Sequence, residues 1–313
     1  MDTWILQAGY PRVDVEPVDG GVRFRQRRFL FLDDETDTSL WMVPLQLRYS
    51  VDGEEHRTTH LLTTAEETLP LGEVDWIMAN GGGHGFYRVN YAPELLEALL
   101  AVVPELDPLE RFTLLDDVGS FLLSGDRRAD EWLALASRFS EEDRYQVWQM
   151  LIGHLGVLGN VMDPFEFRSA ASDLLRPLYD DLGWEPRDGD DELTLALRGL
   201  VIAGLGIHAD DPEIVEKALA EIDPVLADPA SRQADITKAV IDVAGSHADE
   251  GLFDRMVEAY PKAPTAQLQQ RILANLASTR RPELATRVMD MAIDGDIRNQ
   301  DATWVSARLL RNR

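Results

Sequence analysis

Two domains of different class are predicted in an α+β chain: an antiparallel β-sandwich over residues 1–91, then an α-helical, HEAT-like solenoid over residues 92–313. Three observations predict this. Up to Tyr91 apolar residues alternate with polar ones, the period of half-buried strands. After Tyr91 they recur on one face of a helical wheel. The later helices return in pairs at intervals of roughly 34 to 38 residues, a spacing at which each pair buries its apolar face by stacking on the next.

The strands come in order. Val13 and Val15, then Val22 and Phe24, then Trp41, Val43, Leu45, Leu47 and Tyr49 alternate with polar neighbours. Asp19-Gly20-Gly21 and Asp52-Gly53 are hairpin turns, because glycine takes positive φ at no steric cost. Short strands follow at 60–64, 68–71, 75–78 and 86–91, with no helix expected among them.

The helices announce their starts. Asp107-Pro108-Leu109-Glu110 combines an N-cap, a proline at the first helical position and a glutamate at the third, and Asp163-Pro164-Phe165-Glu166 repeats it. Ser140 is predicted to cap a helix with the apolar face Tyr145, Trp148, Leu151, Ile152 and Leu155. Longer helices are expected from about Asp190, Asp228, Pro264 and Arg298, the first three each followed by a shorter one near Pro212, Gly251 and Pro282. The last unit reads as incomplete at Arg313, leaving Trp304, Val305, Leu309 and Leu310 uncovered, so a truncated C-terminus is expected.

Composition narrows the function. With no cysteine, disulfides, thiol catalysis and iron–sulfur clusters are excluded, which favours a cytoplasmic protein. A formal net charge of −26 repels phosphate backbones, so no nucleic-acid partner is expected. No apolar run reaches membrane-spanning length, and no membrane partner is expected.

No motif supplies catalysis. The histidines His56 and His60 are four apart in a strand-like segment, which separates them by about 13 Å, too far for one metal ion. Gly81-Gly82-Gly83-His84-Gly85 leads into a strand rather than a helix N-terminus, so it reads as a flexible turn rather than a phosphate cradle. Acidic pairs such as Asp116-Asp117, Asp180-Asp181, Asp190-Asp191 and Asp210-Asp211 point about 100° apart on a helix and read as solvated helix ends. Neither a catalytic nor a metal-ligating residue is assigned.

Several segments are more specific than their chemistry. They are Trp4-Ile5-Leu6-Gln7-Ala8-Gly9-Tyr10-Pro11, Gln26-Arg27-Arg28-Phe29, Trp41-Met42-Val43-Pro44-Leu45, and Asn80 followed by Gly85-Phe86-Tyr87-Arg88-Val89-Asn90-Tyr91. In this order they resemble the W-x-x-Q-x-G-Y-P, Q-x-R-F, W-x-[VI]-P-[LI] and N-x4-G-[FY]-Y-R-V-x-Y motifs of the gluzincin zinc aminopeptidases. Arg111, Leu114, Leu115 and Asp116 or Asp117 extend the match, as do Glu142, Tyr145, Val147 and Trp148.

The resemblance implies a non-catalytic C-terminal region of an enzyme that removes N-terminal amino acids from peptides. In that family the zinc ligands H-E-x-x-H-x18-E lie upstream of the W-x-x-Q segment, so the chain alone is expected to be inactive and to hold no cofactor, zinc belonging to the parent enzyme. Its expected partners are the missing N-terminal and catalytic domains of the same polypeptide and peptide substrates, around which the helical domain curls and gates access. Trp4, Gln7, Gly9, Tyr10, Pro11, Trp41, Pro44, Asn80, Gly85, Tyr87, Arg88, Tyr91 and Arg111 are expected to be scaffold, with Arg88 fixing the sandwich against its neighbour. An acidic concave face is expected to favour basic peptide tails. The competing reading is a free-standing HEAT-like protein-interaction module.

Overall fold

A computed structural model describes residues 2–32, 34, 36–159 and 162–310, so Arg313 lies outside the described residues. The chain forms two compact units, Met1–His154 and Leu155–Arg313.

The first unit begins with a single helical turn, α1 (Asp2–Ile5), followed by β1 (Pro11–Val18), β2 (Gly21–Arg28), β3 (Val43–Val51), β4 (Glu54–Leu62), β5 (Glu66–Leu69), β6 (Trp76–Met78) and β7 (Arg88–Tyr91). They make a four-stranded sheet in the order β5-β2-β1-β7 and a three-stranded sheet in the order β4-β3-β6. The alternation read from the sequence becomes burial: Val13, Val15, Val22, Phe24, Val43, Leu45 and Leu47 are all sealed from solvent. Strand β4 is the exception. From Glu54 to Thr59 every residue is exposed and polar, as suits an edge strand that must not recruit another chain.

One expectation fails here. The sheets are not wholly antiparallel, because β7 pairs parallel with β1, Arg12 opposite Arg88 and Val15 opposite Tyr91. A parallel pair needs a long crossover, and the five intervening strands supply it.

Four helices follow: α2 (Pro93–Ala101), α3 (Pro108–Ser124), α4 (Ala129–Ala136) and α5 (Tyr145–Leu158), the last running into the second unit. At the start of α3 the Glu110 carboxylate accepts the Asp107 N–H at 2.9 Å, as its capping motif predicts. Ser140 does not cap α5; it closes the short 3-10 turn Ser137–Phe139. The Glu142 carboxylate serves the α5 end instead, accepting the N–H groups of Asp143 and Arg144 at 3.1 and 2.9 Å.

The second unit continues with α6 (Pro164–Leu182), α7 (Glu192–His208), α8 (Pro212–Ala227), α9 (Ala234–Ser246), α10 (Glu250–Ala259), α11 (Ala266–Leu276), α12 (Pro282–Asp294) and α13 (Asn299–Leu309). Asp163, Asp191, Asp211 and Asp249 each cap the following helix through their carboxylates. The predicted long–short alternation breaks down at α11, which has 11 residues against 13 in α12.

Side chains join these helices in two rows. Among the even-numbered helices, Arg176 of α6 reaches Asp211 and Glu213 at the start of α8, Asp223 of α8 meets Arg255 of α10, and Asp254 of α10 meets Arg287 of α12. Arg198 of α7, 1% exposed, ties that helix back to the end of α6 through the Leu182 carbonyl and Asp190, and the odd-numbered helices are joined further on. Asp242 of α9 binds Arg271 and Asn275 of α11. At the end of this row Val305 of α13 is fully buried, contrary to the expectation that it lacks a cover, whereas Leu310 is 87% exposed.

Candidate functional site

The residues singled out from the sequence gather in the first unit as a chain of specific bonds. Trp4 and Gln7 donate to the Met42 and Leu40 carbonyls at 3.0 and 2.8 Å, tying the N-terminal turn to the segment before β3. Gly9 turns beside the Arg28 guanidinium, Tyr10 stacks on Phe29, and Pro11 opens β1. Trp41 is 1% exposed, its N–H bonded to Gln26, whereas Pro44 is exposed on β3 opposite Leu61.

Asn80 clamps Gly85 in both directions, its amide nitrogen donating to the Gly85 carbonyl and its oxygen accepting the Gly85 N–H. A Cβ at Gly85 would lie 2.1 Å from the Tyr87 ring, so no other residue fits there. The glycine-rich segment is therefore pinned rather than loose: Gly81–Gly83 forms a 3-10 turn and the Gly82 N–H donates to Glu110 at 2.8 Å. Tyr87 donates to the Ala79 carbonyl, and Tyr91 accepts the Ala79 N–H.

Arg88 is the hub. Its guanidinium lies over the Tyr10 and Phe29 rings and reaches Asp116 at 2.7 Å and Asp117 at 3.2 Å, joining β7 to α3. Contrary to the sequence reading, this acidic pair is no solvated helix end; both carboxylates converge on one cation. Burial pushes Asp117 up to about 8 against the pull of the Val89 N–H and Arg88. Arg111 forks onto Glu142 at 2.6 and 3.1 Å.

Sequence reasoning missed Glu110 as a buried junction: it is 0% exposed and takes Arg48 at 2.6 Å besides the Gly82 N–H. His56 stacks on Tyr49 and His60 pairs with Glu67. Among the described residues no group of three His, Cys, Asp or Glu is placed to hold a metal ion, so the residues present do not fit a zinc site.

The second unit holds a cleft of about 1010 Å³. Its walls are the facing stripes of successive odd-numbered helices: Lys238, Asp242 and Ser246 one turn apart on α9, Arg271 and Asn275 on α11, and Arg308 on α13. Arg168 in the first turns of α6 and Asp210 in the α7–α8 connection also line it. Asp210 has φ 50°, a left-handed backbone that aspartate tolerates, and draws Arg168 to 2.6 Å and Arg280 to 3.6 Å. Burial and the nearby Arg280 hold His208 down to about 4, so its imidazole is neutral at pH 7. The lining mixes polar and apolar residues and can hold a polar ligand; among its described residues no nucleophile is paired with a base.

Comparison with known proteins takes in both units. The family model of the ERAP1-like C-terminal domain matches residues 76–313. Along 97% of its length the chain is 27% identical to aminopeptidase M1 of Arabidopsis thaliana, covering 37% of that protein. It is 24% identical to the puromycin-sensitive aminopeptidase of Caenorhabditis elegans, with 97% and 34% coverage, and 23% identical to tricorn protease-interacting factor F2 of Thermoplasma volcanium, with 100% and 37%. The chain thus spans little more than a third of the length of these relatives. With the family model covering most of it, the chain belongs to the ERAP1-like C-terminal domain family and corresponds to the C-terminal part of an M1 aminopeptidase.

Proposed function

We propose that the chain is the non-catalytic C-terminal region of a zinc aminopeptidase that removes N-terminal amino acids from peptides. Its two sheets act as a sandwich that anchors the missing domains, and its helix pairs act as a HEAT-like solenoid that encloses the peptide and gates access. The observation that carries this reading is the cleft of about 1010 Å³ lined by residues of α5, α6, α7, α9, α11 and α13, a surface able to accompany a peptide. The motif residues from Trp4 to Arg111 are scaffold in this proposal, since the side chains of Trp4, Gln7, Asn80, Tyr87, Arg88, Tyr91 and Arg111 are spent on internal bonds. A cytoplasmic setting belongs to the same proposal.

The test is hydrolysis of an aminoacyl-arylamide by the purified chain, with and without added zinc. No turnover is expected in either condition, while fusion to the upstream metal-bearing domains restores it. Zinc-dependent turnover that follows the isolated chain through purification would overturn the proposal.

A further inference from the structure

The cleft contradicts the overall charge. The whole chain carries −26, and an acidic concave face was the expectation from sequence. Yet among its described lining residues the charged side chains are Arg168, Lys238, Arg271, Arg280 and Arg308 against only Asp210 and Asp242, five cations to two carboxylates, an excess of three.

Pairing does not remove the excess. Arg168 and Arg280 share the single carboxylate of Asp210, and Asp242 is taken by Arg271. Lys238 is exposed on α9 with no carboxylate at ion-pair distance among the described residues. Arg308 spends one nitrogen on the Ser278 hydroxyl at 2.5 Å and has no acid partner either. Burial pulls Arg308 below arginine's ordinary value, and the nearby Asp242, already paired with Arg271, offsets this only in part.

Like charges gathered in one cleft repel one another at short range, and an anionic ligand would relieve that repulsion. A lone terminal carboxylate would answer one of three excess charges. Several carboxylates spaced along a chain would answer them all, and the cations are spread over α6, α9, α11, the α11–α12 connection and α13 around a cleft of about 1010 Å³. We propose that this cleft binds an acidic segment of a peptide, its Asp and Glu side chains meeting Lys238 and Arg308 first. The inference rests on the reading of the cleft as a peptide wall and reverses the expected preference for basic tails.

The test uses the purified chain and dye-labelled peptides of equal length carrying several Glu, several Lys or neither, all C-terminally amidated, plus the neutral peptide with a free C-terminus. At low salt the Glu peptide should bind about tenfold more tightly than the Lys peptide, with the difference shrinking at high salt. Lys238→Glu should abolish the preference; its exposed, unpaired side chain makes the variant safe for folding, and Arg308→Gln should reduce it independently. Equal binding of all peptides would overturn the charge inference while leaving the peptide-wall reading intact. Binding that needs only the free C-terminus would also overturn it, as would a Glu preference that survives both variants. Binding of no peptide would overturn the inference and the wall reading together.

Discussion

Arg88 sets one positive charge against two carboxylates, Asp117 buried at 7% side-chain exposure and Asp116 open to water at 36%. With both ionised the triad would carry a buried negative charge; a proton on Asp117 makes it neutral, in line with a value of about 8. Because the folded value lies above the unfolded value of 3.8, the folded chain binds that proton more tightly, and the resulting stability is lost as pH rises toward and through 8. Asp117→Asn should flatten this part of the stability profile, measured by urea unfolding between pH 5 and 9 (about the range in which the group changes charge). Arg88→Ala should be more severe, costing about 3 kcal/mol by taking the counter-charge from Asp116 and a hydrogen-bond donor from the buried Asp117. The hub was legible as a motif but not as a geometry. Adjacent acids diverge on a helix, and only the reach of a guanidinium from β7 lets one nitrogen touch both.

Among whole elements, the close approach of α7 and α9 depends on Gly199. A Cβ there would meet the Asp235 carbonyl oxygen at 2.6 Å, which backbone cannot yield without the helices moving apart. Gly199→Ala should therefore destabilise by about 1–3 kcal/mol despite alanine's better helix propensity, and thermal melts of the variant would show it. Removing a cap is milder: Asp163→Ala loses the bonds to the Phe165 and Glu166 N–H groups and should cost about 1 kcal/mol, read from the same melts. The starts of α3, α6 and α8 were legible because cap, proline and acid stand within four residues of one another. The start of α5 was misread because Ser140 suggests a cap while Glu142 supplies the bonds. Period could identify helices, but it could not show that α7, α9, α11 and α13 share one cleft. Its cations come from positions as far apart as Arg168 and Arg308, and no local window of sequence contains the cluster.

For the molecule as a whole, two electrostatic effects oppose each other when salt is added. The exposed ion pairs between even-numbered helices, such as Arg255 with Asp223 and Arg287 with Asp254, are each worth about 0–1 kcal/mol and weaken on screening. The self-repulsion of a −26 chain is collective and also weakens. Repulsion should win, so the unfolding temperature should rise between dilute buffer and molar sodium chloride; a fall would mean that the ladder dominates.

The parallel strand β7 has a consequence for how this chain is made. Residues 12–15 find their second neighbour only at residues 88–91, so a ribosome must release the whole crossover before that side of β1 can be covered. Until then the β1–β2 hairpin carries an open row of unpaired amides and carbonyls, the kind of surface on which nascent chains stick to one another. Tyr87 and Tyr91, anchored on Ala79, then do more than fill a core: they dock the arriving strand and end the vulnerable interval of synthesis.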